Sequence, residues 1–279
     1  MSRIDGEIFE LVHEIWLEKE DALKKLEQLG REKITFKRPV FFIPGWRDEN
    51  NTCWCGKDKD GLSMQEWIQR HSHNSRDVYF INFVNESKNF KNFVDFGTAL
   101  KKKMWILVGK DKKFDVVAHG AGGLYVRSLI TQGDAIFNCY KCITVETPHA
   151  GVHLKGSDQF FMRGPGRFVI DLLGIFSSCQ IEQRKRFAPN NALIQKINTP
   201  ESRRLFIERI QKLYQLRSTK NFSHPGSGFM DQSGIEAAYN RKMEQVMIQG
   251  GEAKDIVGMA HDPRTVLVIL KILLELYLP

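Results

Sequence analysis

The sequence predicts an α/β fold, a mostly parallel sheet with helices on both faces. Short, mostly apolar runs recur at 39–43, 77–81, 114–118, 142–145, 210–216 and 243–248. Helical spacing fills several of the intervals between them, at 91–108, 123–132 and 263–277. Strands apolar throughout are buried on both faces, and the helices between them are their covers. The chain of 279 residues, 42% apolar and 11% aromatic, is sized for one large core, or one core with an insert.

Taken in order, residues 4–29 place Ile4, Ile8, Leu11, Val12, Ile15, Trp16, Leu23, Leu26 and Leu29 at helical spacing, which predicts a helix with one buried stripe. Residues 1–36 thus read as an N-terminal helical extension. Pro39–Ile43 is a strand stopped by Pro44-Gly45, and Asp77–Ile81 is a second strand. Phe114–Ala118 is a third, running straight into a turn of small residues. The rhythm breaks from Gly151 to about Arg204, where Gly164-Pro165-Gly166, the apolar segment Phe168–Phe176 and the basic run Arg184-Lys185-Arg186 lie. An insertion of this kind sits at the strand ends where ligands bind, so 151–204 reads as a cap. The core is then 37–150 together with 205–279. No internal repeat is evident.

Forty-one Lys and Arg against 33 Asp and Glu give a net charge of +8. That excess alone is compatible with an anionic membrane surface or with nucleic acid and selects neither. The partner expected for the chain as a whole is an anionic membrane surface, and nucleic acid is not expected. The start, MSRIDGEIFELVHEIW, mixes acids with apolar residues and does not read as a secretory signal. The most apolar stretch, VLVILKILLELYL, is interrupted by Lys271 and Glu275 and is shorter than the roughly 20 residues a membrane span needs. A soluble, cytoplasmic chain is expected. Five cysteines include Cys53-x-Cys55 and Cys139-x-x-Cys142, a zinc set on paper. The layout puts the first pair after a strand's C-terminal end and the second before another strand's N-terminal end, at opposite edges of a parallel sheet. Reduced thiols and no metal are expected.

The most informative stretch is Val116-Val117-Ala118-His119-Gly120-Ala121-Gly122-Gly123-Leu124, a buried strand, a small-residue turn and an immediate helix. Two architectures use it, the dinucleotide-binding turn and the nucleophile elbow. For a dinucleotide, Gly120 and Gly122 supply the first two glycines, and Glu146 stands where the ribose-binding acid belongs. The third glycine place, however, is Tyr125, and the turn follows the third strand rather than the first. An elbow needs small residues two before and two after its central residue, and Ala118 and Gly122 fill those places.

On these residues the sequence resembles the lipase/esterase branch of the α/β-hydrolase superfamily, where the turn usually reads Gly-His-Ser-x-Gly-Gly. Phe41-Phe42-Ile43-Pro44-Gly45-Trp46 resembles the strand and turn that give an oxyanion donor, with Pro44 in place of His. Thr147-Pro148-His149-Ala150-Gly151 resembles the Thr-Pro-His-x-Gly signature, and Asn191–Asn198 the segment that follows a lid. Gly258-Met259-Ala260-His261 resembles the loop bearing the catalytic His. Together these cover about 39–277, in the family's order, and imply an α/β-hydrolase fold with a helical cap.

The resemblance departs at Gly120, where the family has its Ser nucleophile. Ester hydrolysis by this route needs an oxygen that gives a proton to His and attacks the carbonyl, and Ser128 lies too far along the following helix to substitute. The elbow holds its central residue at positive φ, which costs a non-glycine residue about 1–3 kcal/mol. A Ser→Gly change therefore removes the chemistry and spares the fold. The resemblance implies Asp231 as the acid, with Asp255 as the alternative, and His261 as the base. It implies the backbone N–H groups of Ala121 and Trp46 as oxyanion donors, and no cofactor. His149 reads as structural and His119 as a packing residue of the elbow. In the cap, Phe168, Val169, Leu172, Leu173 and Phe176 share helical spacing. That stripe either packs the cap down or lines an acyl groove through Phe168, Leu172 and Phe176. Arg163, Arg167 and Arg184–Arg186 are the basic residues beside it. The expected function is a lipase/esterase-like scaffold, inactive or strongly impaired, that takes an acyl-ester or lipid-like ligand. The alternatives are an active ester hydrolase by another route and, more remotely, a dinucleotide-binding protein.

Overall fold

The computed structural model describes residues 12–45, 50–56, 63–83, 93–132, 138–149, 151, 191–218, 243–249 and 258–278. Along the chain these form β1 (Val12–Ile15), α1 (Lys19–Arg31), β2 (Val40–Ile43), α2 (Thr52–Cys55), α3 (Met64–His71), β3 (Val78–Phe80) and α4 (Phe93–Val108). They continue as β4 (Phe114–His119), α5 (Ala121–Gln132), β5 (Cys139–Val145), α6 (Ala192–Ile197), α7 (Pro200–Arg209), β6 (Lys212–Ser218), β7 (Met243–Ile248), α8 (Gly258–His261) and α9 (Pro263–Leu274).

Among the described residues, seven strands form one sheet in the order β1-β7-β6-β5-β4-β2-β3, and every pairing is parallel. Two apolar layers cover it. Val40, Phe42, Val117, Ile143, Leu216 and Val246 face one layer, with residues of α1, α3 and α9. Phe41, Ile43, Val116, Ala118, Cys142 and Leu213 face the other, with residues of α4, α5 and α7. Alternate residues of one apolar run thus enter opposite cores, as a strand with a period of two requires. The α/β reading therefore stands, with a sheet wider by one strand than the sequence implied.

The added strand corrects the reading of 4–29 as one helix. Val12–Ile15 is β1, paired with β7 from Val12↔Gln245 to Ile15↔Ile248, and the helix begins only at Lys19. Ile15 enters the core, whereas Trp16, assigned to the buried stripe, is 75% exposed and donates its indole N–H to Glu14. Apolar residues three apart suit a helix turn and also the ends of a four-residue strand, and the sheet edge decides between them. Helix α1 buries Ala22, Leu26 and Gly30. Residues 4, 8 and 11 lie outside the described residues, as does the cap interval from 152 to 190. After that interval, α6 and α7 pack on α5 of the core.

A register shift between Phe114 and Asp115 in the β4–β5 pairing lets Tyr140 bulge. Cys139 and Cys142, three apart, therefore lie in the same core layer. At that N-terminal edge of the sheet, Arg38 Nε holds both Asp115 oxygens at 3.0 and 3.1 Å. Lys141 Nζ donates to the Ile272 carbonyl at 2.7 Å and the Leu273 carbonyl at 3.3 Å, and pairs with Glu275 at 3.2 Å. A buried ammonium thus satisfies the last carbonyls of α9 and fixes that helix to the sheet.

Candidate functional site

β2 is followed outward by β3, while β4 leads the other way through β5, β6 and β7. The chain changes direction between β2 and β4, and the crevice outside the C-terminal ends of such strands is where open α/β sheets bind ligands. Gly120 stands there, between β4 and α5, with φ +50°. Its N–H donates to the Val145 carbonyl at 2.8 Å, which ties the turn to β5. A Cβ built on Gly120 meets nothing within 4 Å. The position has the backbone of an elbow and an unobstructed direction for a side chain it does not carry.

The neighbouring glycines are small for a different reason. A Cβ on Gly122 would lie 2.5 Å from the Pro44 carbonyl oxygen, and one on Gly123 would lie 2.3 Å from Thr147 Oγ1. The first turn of α5 is pressed against the loop after β2 and the segment after β5, so three chain segments meet at the elbow. Ala121 opens α5, where the first amides have no partner within the helix and are oriented toward an anion.

His261 closes α8 at the same end of the sheet. Asp262 caps α9 by accepting from the Arg264 N–H at 2.9 Å, and the Arg264 guanidinium binds that carboxylate at 2.7 and 2.9 Å. The same guanidinium donates to the Gln249 carbonyl at 2.9 Å, just past β7. This bracing fixes the residue before Asp262. His261 Nε2 donates to the Thr52 carbonyl at 3.2 Å, and on the other side of α2 the Trp54 ring meets the His119 ring edge-on at 6.1 Å. Helix α2 thus joins the His261 segment to the elbow.

Gly120, Ala121 and His261 are therefore the expected site residues within the described structure. Trp46, Asp231, Asp255, Phe168, Leu172 and Phe176 lie outside the described residues. His149 is fully buried, and its Nε2 donates to Thr144 Oγ1 at 3.2 Å, which itself donates to the Tyr214 carbonyl. Burial, with the Arg127 guanidinium adding to it, holds its imidazole well below the ordinary value. A neutral, walled-in His149 is structural. The four paired cysteines divide as the sequence implied, Cys53 and Cys55 in α2 beyond β2 and Cys139 and Cys142 in β5. Burial, then the neighbouring Cys142, pushes the Cys139 thiol well above its ordinary value, which disfavours the thiolate a zinc ion needs.

Two supporting residues, Asn51 and Arg127, escaped the sequence reading, and a third, Glu146, was weighed there only as a ribose ligand. Asn51, buried at φ +58°, donates its amide to the Phe42 carbonyl at 3.1 Å and the Ile81 carbonyl at 2.7 Å, holding the loop after β2. Its only local signal is that Asn tolerates the left-handed region. Arg127, fully buried in α5, donates to the carbonyls of His149 and Ile197 and to Asn198 Oδ1. Burial, with Arg203 second, brings its pKa down to about 9. Glu146, at φ +49° directly after β5, accepts from the Ser218 N–H at 2.6 Å, and burial raises its carboxyl above the ordinary value. That bond ties Glu146 to the end of β6, which accounts for a carboxylate at this place without a ribose ligand.

No family model matches the sequence, and no curated protein matches it. Among solved structures, the mature form of the Bacillus licheniformis lipase BlEst2 superposes with a TM-score of 0.50 at 16% identity, over 85% of this chain and 92% of that one. The chain has the α/β-hydrolase fold. A lipase-esterase related protein from Clostridium acetobutylicum aligns with this chain at a TM-score of 0.44 and 10% identity, over 85% of this chain and 95% of that one. Phospholipase PlaB from Legionella pneumophila aligns at 0.44 and 12% identity, over 67% of this chain, which spans only 38% of PlaB. Similarity at this level speaks for the fold alone.

Proposed function

We propose that this α/β hydrolase is a carboxylic-ester scaffold of the Ser–Asp–His kind that lacks its nucleophile and binds an acyl-ester or lipid-like ligand with little or no turnover. The observation that carries the reading is Gly120, in elbow geometry at the change of chain direction with open space along its missing Cβ. In this reading the N–H groups of Ala121 and Trp46 receive the ligand's carbonyl oxygen, and backbone donors do not depend on a hydroxyl at position 120. His261 is the base and Asp231 the acid that orients it, with Asp255 as the alternative. Phe168, Leu172 and Phe176 of the cap offer an apolar wall to the acyl chain. The chemistry calls for no metal and no organic cofactor.

The test compares hydrolysis of short- and long-chain p-nitrophenyl esters by the protein, by Gly120→Ser and by Gly120→Ser/His261→Ala. Restoring the oxygen is expected to raise the rate by about 10³-fold or more, and removing His261 to abolish the gain. A non-hydrolysable long-chain ester analogue should raise the Tm of the Gly120 protein itself. Strong esterase activity in the purified Gly120 protein would sink the reading and call for another nucleophile.

A further inference from the structure

Helix α4 ends in a surface that the site does not use. Its buried stripe is Phe96, Leu100 and Met104, packed in the core beside α5. The next turn departs from that stripe, for Ile106 is 73% and Leu107 43% exposed. They sit within Lys101-Lys102-Lys103-Met104-Trp105-Ile106-Leu107-Val108-Gly109-Lys110-Asp111-Lys112-Lys113, six lysines against one aspartate. On a helix, Lys102 is one turn before Ile106 and Lys103 one turn before Leu107, so cations and exposed aliphatics share a face. Lys101 Nζ and Lys110 Nζ stand 4.3 and 4.9 Å from the centroid of the Trp105 ring. Lys103 turns away, to the Asn82 carbonyl at 3.0 Å, and Lys113 lies 6.0 Å from the Tyr140 ring. Among the described residues, Lys101, Lys102, Lys110 and Lys112 form no ion pair with a carboxylate.

We propose that the C-terminal end of α4 and the turn after it form a docking surface for an anionic lipid bilayer, with Ile106 and Leu107 entering the acyl boundary and the lysines meeting lipid phosphates. Charge complementarity and the exposed aliphatic pair choose this occupant together. Nucleic acid would use the lysines and leave Ile106 and Leu107 without a role, and two ammoniums already crowd the one Trp ring available for stacking on a base. A bilayer uses both features, because apolar insertion and electrostatic attraction add at an anionic interface. Long lysine side chains suit such a rim, laying their stems on the apolar surface with the charge outward. The patch lies toward the edge where β4 begins, away from the elbow at the end of β4. It is thus separate from the ligand reading above and stands or falls without it.

Co-sedimentation of the full chain with phosphatidylcholine vesicles, and with mixed phosphatidylcholine–phosphatidylglycerol vesicles, tests it. Binding is expected to the mixed vesicles, to weaken with salt, and to be nearly absent from phosphatidylcholine alone. Lys110→Gln/Lys112→Gln should lower affinity about fivefold per lysine. Ile106→Ser/Leu107→Ser should lower it about tenfold or more at unchanged charge. Circular dichroism and Tm check that both variants, placed on exposed side chains, stay folded. The proposal is overturned by equal binding to both vesicle types, by variants that bind as the parent does, or by binding to a DNA duplex without binding to vesicles.

Discussion

At the elbow, two glycines two residues apart are small for unrelated reasons, and substitution separates them. Gly120→Ala adds a methyl group that touches nothing and pays only for backbone at φ +50°. Its expected cost is about 1–2 kcal/mol. Gly122→Ala keeps an ordinary helical backbone but drives a carbon to 2.5 Å from the Pro44 carbonyl oxygen, so α5 or the loop after β2 must shift. That cost is expected at about 2–3 kcal/mol. Urea denaturation of the two variants ranks them, and the reverse order would show that the turn's backbone, not its packing, limits stability here. In the sequence the elbow pattern marks Gly122 as a small position and Gly120 as a departure from its usual Ser. It could not reveal that the carbonyl of Pro44, nearly eighty residues away, is what Gly122 accommodates.

Elements were legible in proportion to how much of their own environment they carry. β2 announces itself because a strand buried on both faces is apolar at every position, as in Phe41-Phe42-Ile43, and β4 and β5 do so through the apolar runs Val116-Val117-Ala118 and Cys142-Ile143. β1 did not, because Val12-His13-Glu14-Ile15 becomes a strand only by taking the edge that β7 offers. Helices α2 and α3 were missed for their length, four and eight residues, too short for a periodic pattern to stand out. Of the candidate site, the strand, turn and helix of the elbow were legible from local pattern, and the His261 segment was singled out only by its resemblance. The buried braces Asn51, Arg127 and Glu146 were not, because polar residues in loops and helices look alike until their partners are known. The end of α9 gives a pH prediction at this scale. Hydrogen bonds from Lys37 and Arg38 bring the Glu275 carboxyl down from its ordinary 4.5 to about 2. A carboxyl lowered on folding contributes stability that is complete above its unfolded value and lost as pH falls through its folded one. Tm should therefore fall between about pH 4.5 and 2. Glu275→Gln should flatten that part of the profile, and an unchanged slope in the variant would exclude this carboxylate as its source.

For the whole molecule, the sheet's width depends on joining the two ends of the described chain. β1 covers the open edge of β7, Ile15 fills the core at 1% exposure, and α1 packs on α9. Removing residues through Trp16 should cost about 2–5 kcal/mol for the lost core side chain alone. It should also bare a parallel edge able to recruit another chain. Denaturation midpoints report the first effect and concentration-dependent elution in size-exclusion chromatography the second. A truncated protein with the parent's elution and the parent's stability would reduce β1 to an ornament of the edge.

The same pairing has a consequence for how the protein is made. Val12 leaves the ribosome early and Gln245, its neighbour in the sheet, leaves late. At about 5–20 residues per second, the first strand waits roughly 10–50 s for the strand it pairs with. Until then it is a short segment without a neighbour on an incomplete chain, and the layer it seals, shared by α1 and α9, is open to water. The sheet cannot close in the order of synthesis. Its completion waits for β7 to be made, and a nascent chain halted before β7 would carry β1 without its neighbour, a natural client for a chaperone.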